Sequence, residues 1–153
     1  MKRISSRWTF FNKRVFPVIW YGLIAIFILT SGLLNGKDGG EFKVMFLVMP
    51  ILMAGFGYFL MKRLVFDLVD EAWDAGDYLI LKNKGIEETV RLDNIMNVSS
   101  TMLVNPPRVT LTLRTPGRLG KEITFSPPPS MNPFKKSPIV EELIQRVDAA
   151  RNR

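Results

Sequence analysis

Val15 to Leu34 reads VFPVIWYGLIAIFILTSGLL, and Val44 to Met61 reads VMFLVMPILMAGFGYFLM. Neither run contains a charged residue. A helix of about 20 residues is roughly 30 Å long, the hydrocarbon thickness of a bilayer. Both runs therefore predict membrane-spanning helices. The soluble alternatives fit less well. A buried helix of a globular domain is usually shorter and carries polar residues. A signal peptide has an apolar core of about 7–15 residues and a small-residue cleavage site; here the run continues to Leu34 and no Ala-x-Ala follows. Pro17 falls in the first turn expected for its helix, where a missing N–H costs little. Pro50 is more internal and can kink the second span, which membrane helices tolerate.

Working outward from these runs, the flanking charges set an orientation. Lys2, Arg3, Arg7, Lys13 and Arg14 precede the first run without an acidic residue, and Lys62 and Arg63 follow the second. Between them, Lys37 and Lys43 are balanced by Asp38 and Glu41. Basic residues stay on the cytoplasmic side, so both termini are expected there, with the short loop Asn35 to Lys43 outside. Trp8, Phe10, Phe11, Phe16, Trp20 and Tyr21 gather near the same interface, with Tyr58 and Phe59 level with them. The expectation is a multi-pass protein of a cell inner membrane: a basic cytoplasmic tail (1–14), a two-helix hairpin (15–62, spans 15–34 and 44–61) and a cytoplasmic domain (64–153).

The net charge of +7 does not indicate nucleic-acid binding. Five of these charges belong to the tail, and the remainder of the chain is nearly balanced. The excess is topogenic, and it lies where anionic lipid attracts it by about 1 kcal/mol per basic residue. Cysteine and histidine are both absent, so the sequence supports neither Cys/His metal sites nor Cys or His catalysis. It contains no phosphate-cradling Gly-rich loop and no nucleophile elbow. The runs carry no ionisable group of the kind a transport path needs; Gly22, Gly32, Ala54, Gly55 and Gly57 suit close helix packing. The expectation is a non-enzymatic protein with no cofactor and no metal.

From Leu64 onward the chain reads as short strands. Leu64 to Trp73 is the first, followed by Tyr78 to Lys82 after the turn Ala75-Gly76-Asp77. Asn83-Lys84-Gly85 is a hairpin signal leading into Ile86 to Leu92, and Ile95 to Leu103 is the fourth strand. Asn105-Pro106-Pro107 breaks the pattern. Val109, Leu111 and Leu113 then alternate with Thr110, Thr112 and Arg114, and Ile123 and Phe125 with Glu122, Thr124 and Ser126. This is a half-buried antiparallel sheet. Pro127 to Lys136 forms a loop. Ser137-Pro138 then opens a helix with Ile139, Val140, Leu143, Ile144 and Val147 on one face.

Antiparallel strands closed by one amphipathic helix resemble the pleckstrin-homology-like (PH-like) fold. More narrowly, Val69 to Arg151 is similar to bacterial membrane proteins in which a PH-like domain follows a transmembrane pair. The resemblance lies in DEAWDAGDYLILKNKGIEETVRLDNIMNV (Asp70 to Val98), NPPRVTLTLR (Asn105 to Arg114) and EITFSP (Glu122 to Pro127). It implies a mainly-β antiparallel barrel or sandwich with a C-terminal helix. It implies no activity, because that family is of uncharacterised function. A different small barrel, such as an OB-fold on a membrane anchor, is the alternative.

Charge within the domain is uneven. Asp67 to Asp93 holds eight acidic and three basic residues, whereas Arg108 to Lys136 holds six basic residues and only Glu122. Arg114, Arg118 and Lys121 bracket the turn Thr115 to Gly120. They are either a binding surface for anionic lipid headgroups or an acidic protein partner, or a solvated hairpin tip. Met131 and Phe134 either dock a partner or fold back onto the sheet. Trp73 with Asp74 is either a recognition edge or core. The functional expectation is a membrane-held interaction module that binds protein or lipid. The alternative is an accessory or assembly subunit of a transporter or envelope complex that acts through its helices.

Overall fold

The computed structural model describes residues 1–34, 40–132 and 135–153, with the side chains of 34 and 40–43 outside the description. Most of the loop expected at Asn35 to Lys43, and Phe134, therefore lie outside the described residues. The chain forms two compact units, one of Phe10–Phe66 and one of Met1–Thr9 with Asp67–Arg153.

The first unit is a helical pair. A helical turn α1 (Trp8–Phe10), which begins in the tail, runs through a π-helical turn (Phe11–Val15) into α2 (Phe16–Leu34), and α3 spans Gly40–Leu64. Helix thus begins before Val15, and Pro17 is internal to a continuous helical run rather than in its first turn. The π-helical turn precedes it directly, with the Phe16 amide bonded to the Phe11 carbonyl. Such a widened turn is a common accommodation where the regular ladder is interrupted. Phe27 stacks near Phe46 with ring centroids 6.1 Å apart. The Tyr21 hydroxyl donates to the Ala54 carbonyl at 3.5 Å, and Trp20 lies against Gly57. The partners descend in number on α3 as they rise on α2, so the helices are antiparallel. A side chain at Gly57 would collide with the Trp20 indole, so glycine is required there for the close approach. Trp8–Leu33 and Val44–Leu64 are long and apolar enough to cross a membrane.

The second unit is a β-domain. Its four-stranded antiparallel sheet has the order β1 (Lys2–Arg3), β2 (Glu71–Asp74), β3 (Tyr78–Asn83), β4 (Ile86–Arg91). A 3₁₀ turn, Leu92–Asn94, leads to a second sheet of order β5 (Ile95–Thr101), β6 (Arg108–Gly117), β7 (Gly120–Phe125). Helix α4 (Pro138–Arg151) completes it. Among the described residues this gives seven strands, one more than the sequence reading sets out. Leu64 to Trp73 is not a strand throughout: α3 continues to Leu64, and the amides of Val65 and Phe66 both bond the Met61 carbonyl to end it. Only Glu71–Asp74 joins β2. The extra strand comes instead from the tail, whose Lys2 pairs with Asp74 and Arg3 with Trp73.

The tail also laces the two sheets together. The Ile4 amide bonds the Ala72 carbonyl at 2.9 Å, and the Ser6 amide bonds the Ser126 carbonyl at 2.7 Å. Ser5 Oγ accepts from the Ala72 amide. Ahead of β2, Leu68 bridges Thr124 in parallel, and the Val69 amide bonds the Thr124 carbonyl at 2.8 Å. One core lies between the sheets and under α4. It contains Leu79 and Leu81 of β3, Val109, Leu111 and Leu113 of β6, Ile123 and Phe125 of β7, and Val140, Leu143 and Val147 of α4. The alternation in β6 and β7 thus matches the sequence reading. Ile4, 1% exposed, belongs to this core. Burying such a side chain contributes about 1.5–3 kcal/mol.

Candidate functional site

The turn expected at Thr115 to Gly120 is built by β6 and β7. Pairing is regular from Val109 to Thr112, shifts there, and resumes at Gly117 opposite Gly120. The overhanging end of β6 is held from outside its own hairpin. Asn94 Oδ1 accepts from the Thr115 amide at 3.0 Å, and Asn94 Nδ2 donates to the Thr115 carbonyl at 3.3 Å. From the other sheet, Glu88 Oε2 accepts from the Leu119 amide at 2.7 Å. The Glu88 carboxylate occupies the space a side chain at Gly117 would need, so a larger residue there would displace it.

Arg114, Arg118 and Lys121 are all exposed. Arg114 lines a cleft of about 710 Å³, and Arg118 and Lys121 do not. The cleft lies where four separate elements meet. The β2–β3 turn supplies Asp77 and Tyr78, the end of β4 and the following turn supply Arg91 and Asp93, β6 supplies Arg114, and the end of α4 supplies Arg151 with Arg153 beyond it. Sequence reasoning finds Arg114 by its place beside a basic turn. It misses Arg91, Arg151 and Arg153, which stand alone or in a helix end, and no spacing in the chain links them.

One side of the cleft is fixed by a neighbouring ion pair. Asp74 at the end of β2 and Arg146 of α4 make two contacts, Nη2 to Oδ1 at 3.1 Å and Nη1 to Oδ2. Arg146 also donates to the Gly76 carbonyl, while the Gly76 amide donates to Asp74 Oδ1 at 2.9 Å. Gly76 has φ of 103°, in the region that favours glycine. Burial acts to raise the Asp74 carboxyl, but the Arg146 hydrogen bond, the Gly76 amide and the Arg146 charge outweigh it and hold it below its ordinary value. The Arg146 guanidinium is raised, chiefly by its hydrogen bond to Asp74.

A second cleft, of about 490 Å³, is lined by the tail residues Arg3 and Arg7, by Trp8 and Trp73, and by Pro128 and Pro129. Trp73 is half-buried, donates to Glu71 at 3.0 Å and lies under the Arg3 guanidinium, 5.8 Å from its ring centroid. Met131 is fully exposed. Ser137 stands at the N-cap of α4 with Pro138 following, but its side chain makes no capping hydrogen bond; its carbonyl accepts from Val140 and Glu141 instead. Among the described residues, no cluster of three or more acidic side chains could hold a metal ion.

Compared with known proteins, the chain matches no family model, no curated protein and no solved structure.

Proposed function

We propose that this chain is a multi-pass inner-membrane protein whose hairpin α2–α3 holds a PH-like, non-enzymatic interaction domain at the cytoplasmic face. The observation that carries the reading is the pairing of β1 with β2. Residues before the first apolar helix and residues after the second build one domain. Both ends of the hairpin must then return to the same side of a bilayer, which two spans achieve. Lys13, Arg14, Lys62 and Arg63 flank those ends and favour the cytoplasm as that side. The exposure of large apolar side chains along both helices, including Val18, Leu23, Leu29, Ile51 and Leu52, supports a lipid environment, because soluble surfaces rarely leave such continuous patches uncovered.

Sheets of four and three antiparallel strands with a C-terminal helix packed on the core favour the PH-like reading over an OB-fold. Such a domain offers clefts and sheet edges for a protein or a lipid headgroup. The test exchanges residues 16–64 for an unrelated two-span hairpin and compares what co-purifies with each membrane-inserted protein. Partners retained after the exchange support a binding domain. Partners lost with the native helices would show instead an accessory subunit acting through its spans.

A further inference from the structure

We propose that the cleft bounded by Tyr78, Arg91, Arg114 and Arg153 binds the terminal phosphate monoester of a small ligand. The inference goes beyond the membrane reading and rests on the β-domain alone. Its basis is the charge that remains after the internal pairs are made. Arg91 is paired with Asp93 at 2.9 Å. Arg151 is paired with Asp148 at 3.4 Å and donates to the Met96 carbonyl at 3.0 Å. Asp77 is the lining carboxylate outside these pairs, since Arg146, on which it acts weakly, already holds Asp74. Among the described residues, the side chains of Arg114 and Arg153 have neither an ion pair nor a hydrogen bond.

Two guanidinium groups without an ion pair therefore face one cleft against the single carboxylate of Asp77, which leaves it net positive. A phosphate monoester carries about −1.5 to −2 charges at pH 7 and three acceptor oxygens, so it suits that excess. The planar, permanently charged guanidinium fork matches phosphate geometry and donates to two of its oxygens at once. Arg114 is also held in place: its neighbour Thr115 is tied to Asn94 through both its amide and its carbonyl. Tyr78, whose hydroxyl can donate, also lines the wall. A volume of about 710 Å³ falls within the range of about 300–1,000 Å³ usual for small-ligand sites. It suits a phosphorylated small molecule or a single lipid headgroup, and the phosphate is the chemistry they share.

The test uses the full chain in neutral detergent at about 0.15 M salt, where attraction between exposed charges is screened beyond about 8 Å. Glycerol 3-phosphate and dioctanoyl phosphatidic acid are titrated separately, with dioctanoyl phosphatidylcholine as the blank. At least one of the two monoesters should bind, and phosphatidylcholine should not. Preference for glycerol 3-phosphate marks a soluble ligand, and preference for phosphatidic acid marks a headgroup; both support the site. The double variant R114A/R153A should weaken binding about tenfold or more, because it removes charge-assisted hydrogen bonds. R118S/K121S, which removes the same charge outside the cleft, should stay within about twofold. The thermal transition of each variant checks that the domain remains folded. Absence of binding by both monoesters would overturn the proposal. So would unchanged binding in R114A/R153A, or equal loss in R118S/K121S.

Discussion

Arg146 and Asp74 are 72 residues apart in the chain and form a two-point ion pair that fastens α4 to the end of β2. The same guanidinium holds the Gly76 carbonyl, so one side chain fixes both the helix and the β2–β3 turn. Both side chains are largely shielded, Asp74 at 13% and Arg146 at 29% exposure, which places the pair outside the weak class of fully solvated salt bridges.

Replacing Arg146 with Ala should therefore destabilise the β-domain by about 1–3 kcal/mol, the range for hydrogen bonds to charged groups. R146K should recover only part of this, since an ammonium cannot span both carboxylate oxygens. Amide hydrogen exchange in β2 and α4 of the full chain measures the change. Equal protection in wild type and R146A would show that the pair contributes nothing.

The same contact sets an acid limit. The Asp74 carboxyl is held below its ordinary value of 3.8, so folding stabilises its charged form. That contribution is fully present above the unfolded value, near pH 4, and is lost as pH falls through the lower folded value. D74N should be less stable than wild type at neutral pH, and the difference should shrink on acidification below about pH 4. A difference that is constant down to pH 2 would mean that Asp74 does not titrate as argued.

The tail is predicted to be structural. Ile4→Ala should cost about 2–5 kcal/mol, as for other fully buried aliphatic side chains. Met1 is 83% exposed, and substitution there should change stability by less than about 0.5 kcal/mol. Thermal unfolding of the two variants separates them. Equal effects would show that Lys2 to Ser6 does not complete the sheet.

Alternation in β6 yields a sharper pair. Leu111 is fully buried and Thr112 half-buried on the opposite face. L111A should cost about 2–5 kcal/mol and T112A well under half of that, by the same unfolding measurement. Similar losses would mean that the two faces are exchanged.

These positions also show where sequence reading succeeds and where it stops. Period-two alternation from Val109 to Leu113, the turn at Lys84-Gly85 with φ of 50° and 83°, and the apolar face of α4 are local signals, and each element formed where its pattern lay. The strand at Lys2–Arg3 is too short to carry a period. Its pairing with β2 spans the whole hairpin, so nothing nearby in the chain announces it. Leu64 to Trp73 misled for the opposite reason: its apolar residues serve a helix end and the buried Leu68 and Val69 as readily as a strand. Of the three basic residues singled out, Arg114 alone lines the cleft. Its companions Arg91 and Arg153 are brought there by sheet register and by the path of α4, which only the fold supplies.

The central proposal, that both ends of the hairpin lie on one side because they build one domain and that the flanking basic residues make this side the cytoplasm, can be tested directly. The chain contains no cysteine, so single cysteines can be placed without background. Lys2→Cys, Lys37→Cys and Asn152→Cys are each expressed in cells whose inner membrane is accessible from outside, and treated with a membrane-impermeant thiol reagent. Labelling at position 37 alone, with positions 2 and 152 reacting only after the membrane is opened, is the predicted result. Labelling of position 2 or position 152 in sealed cells contradicts it, and labelling of only one of those two would put β1 and the end of its own domain on opposite sides of the membrane.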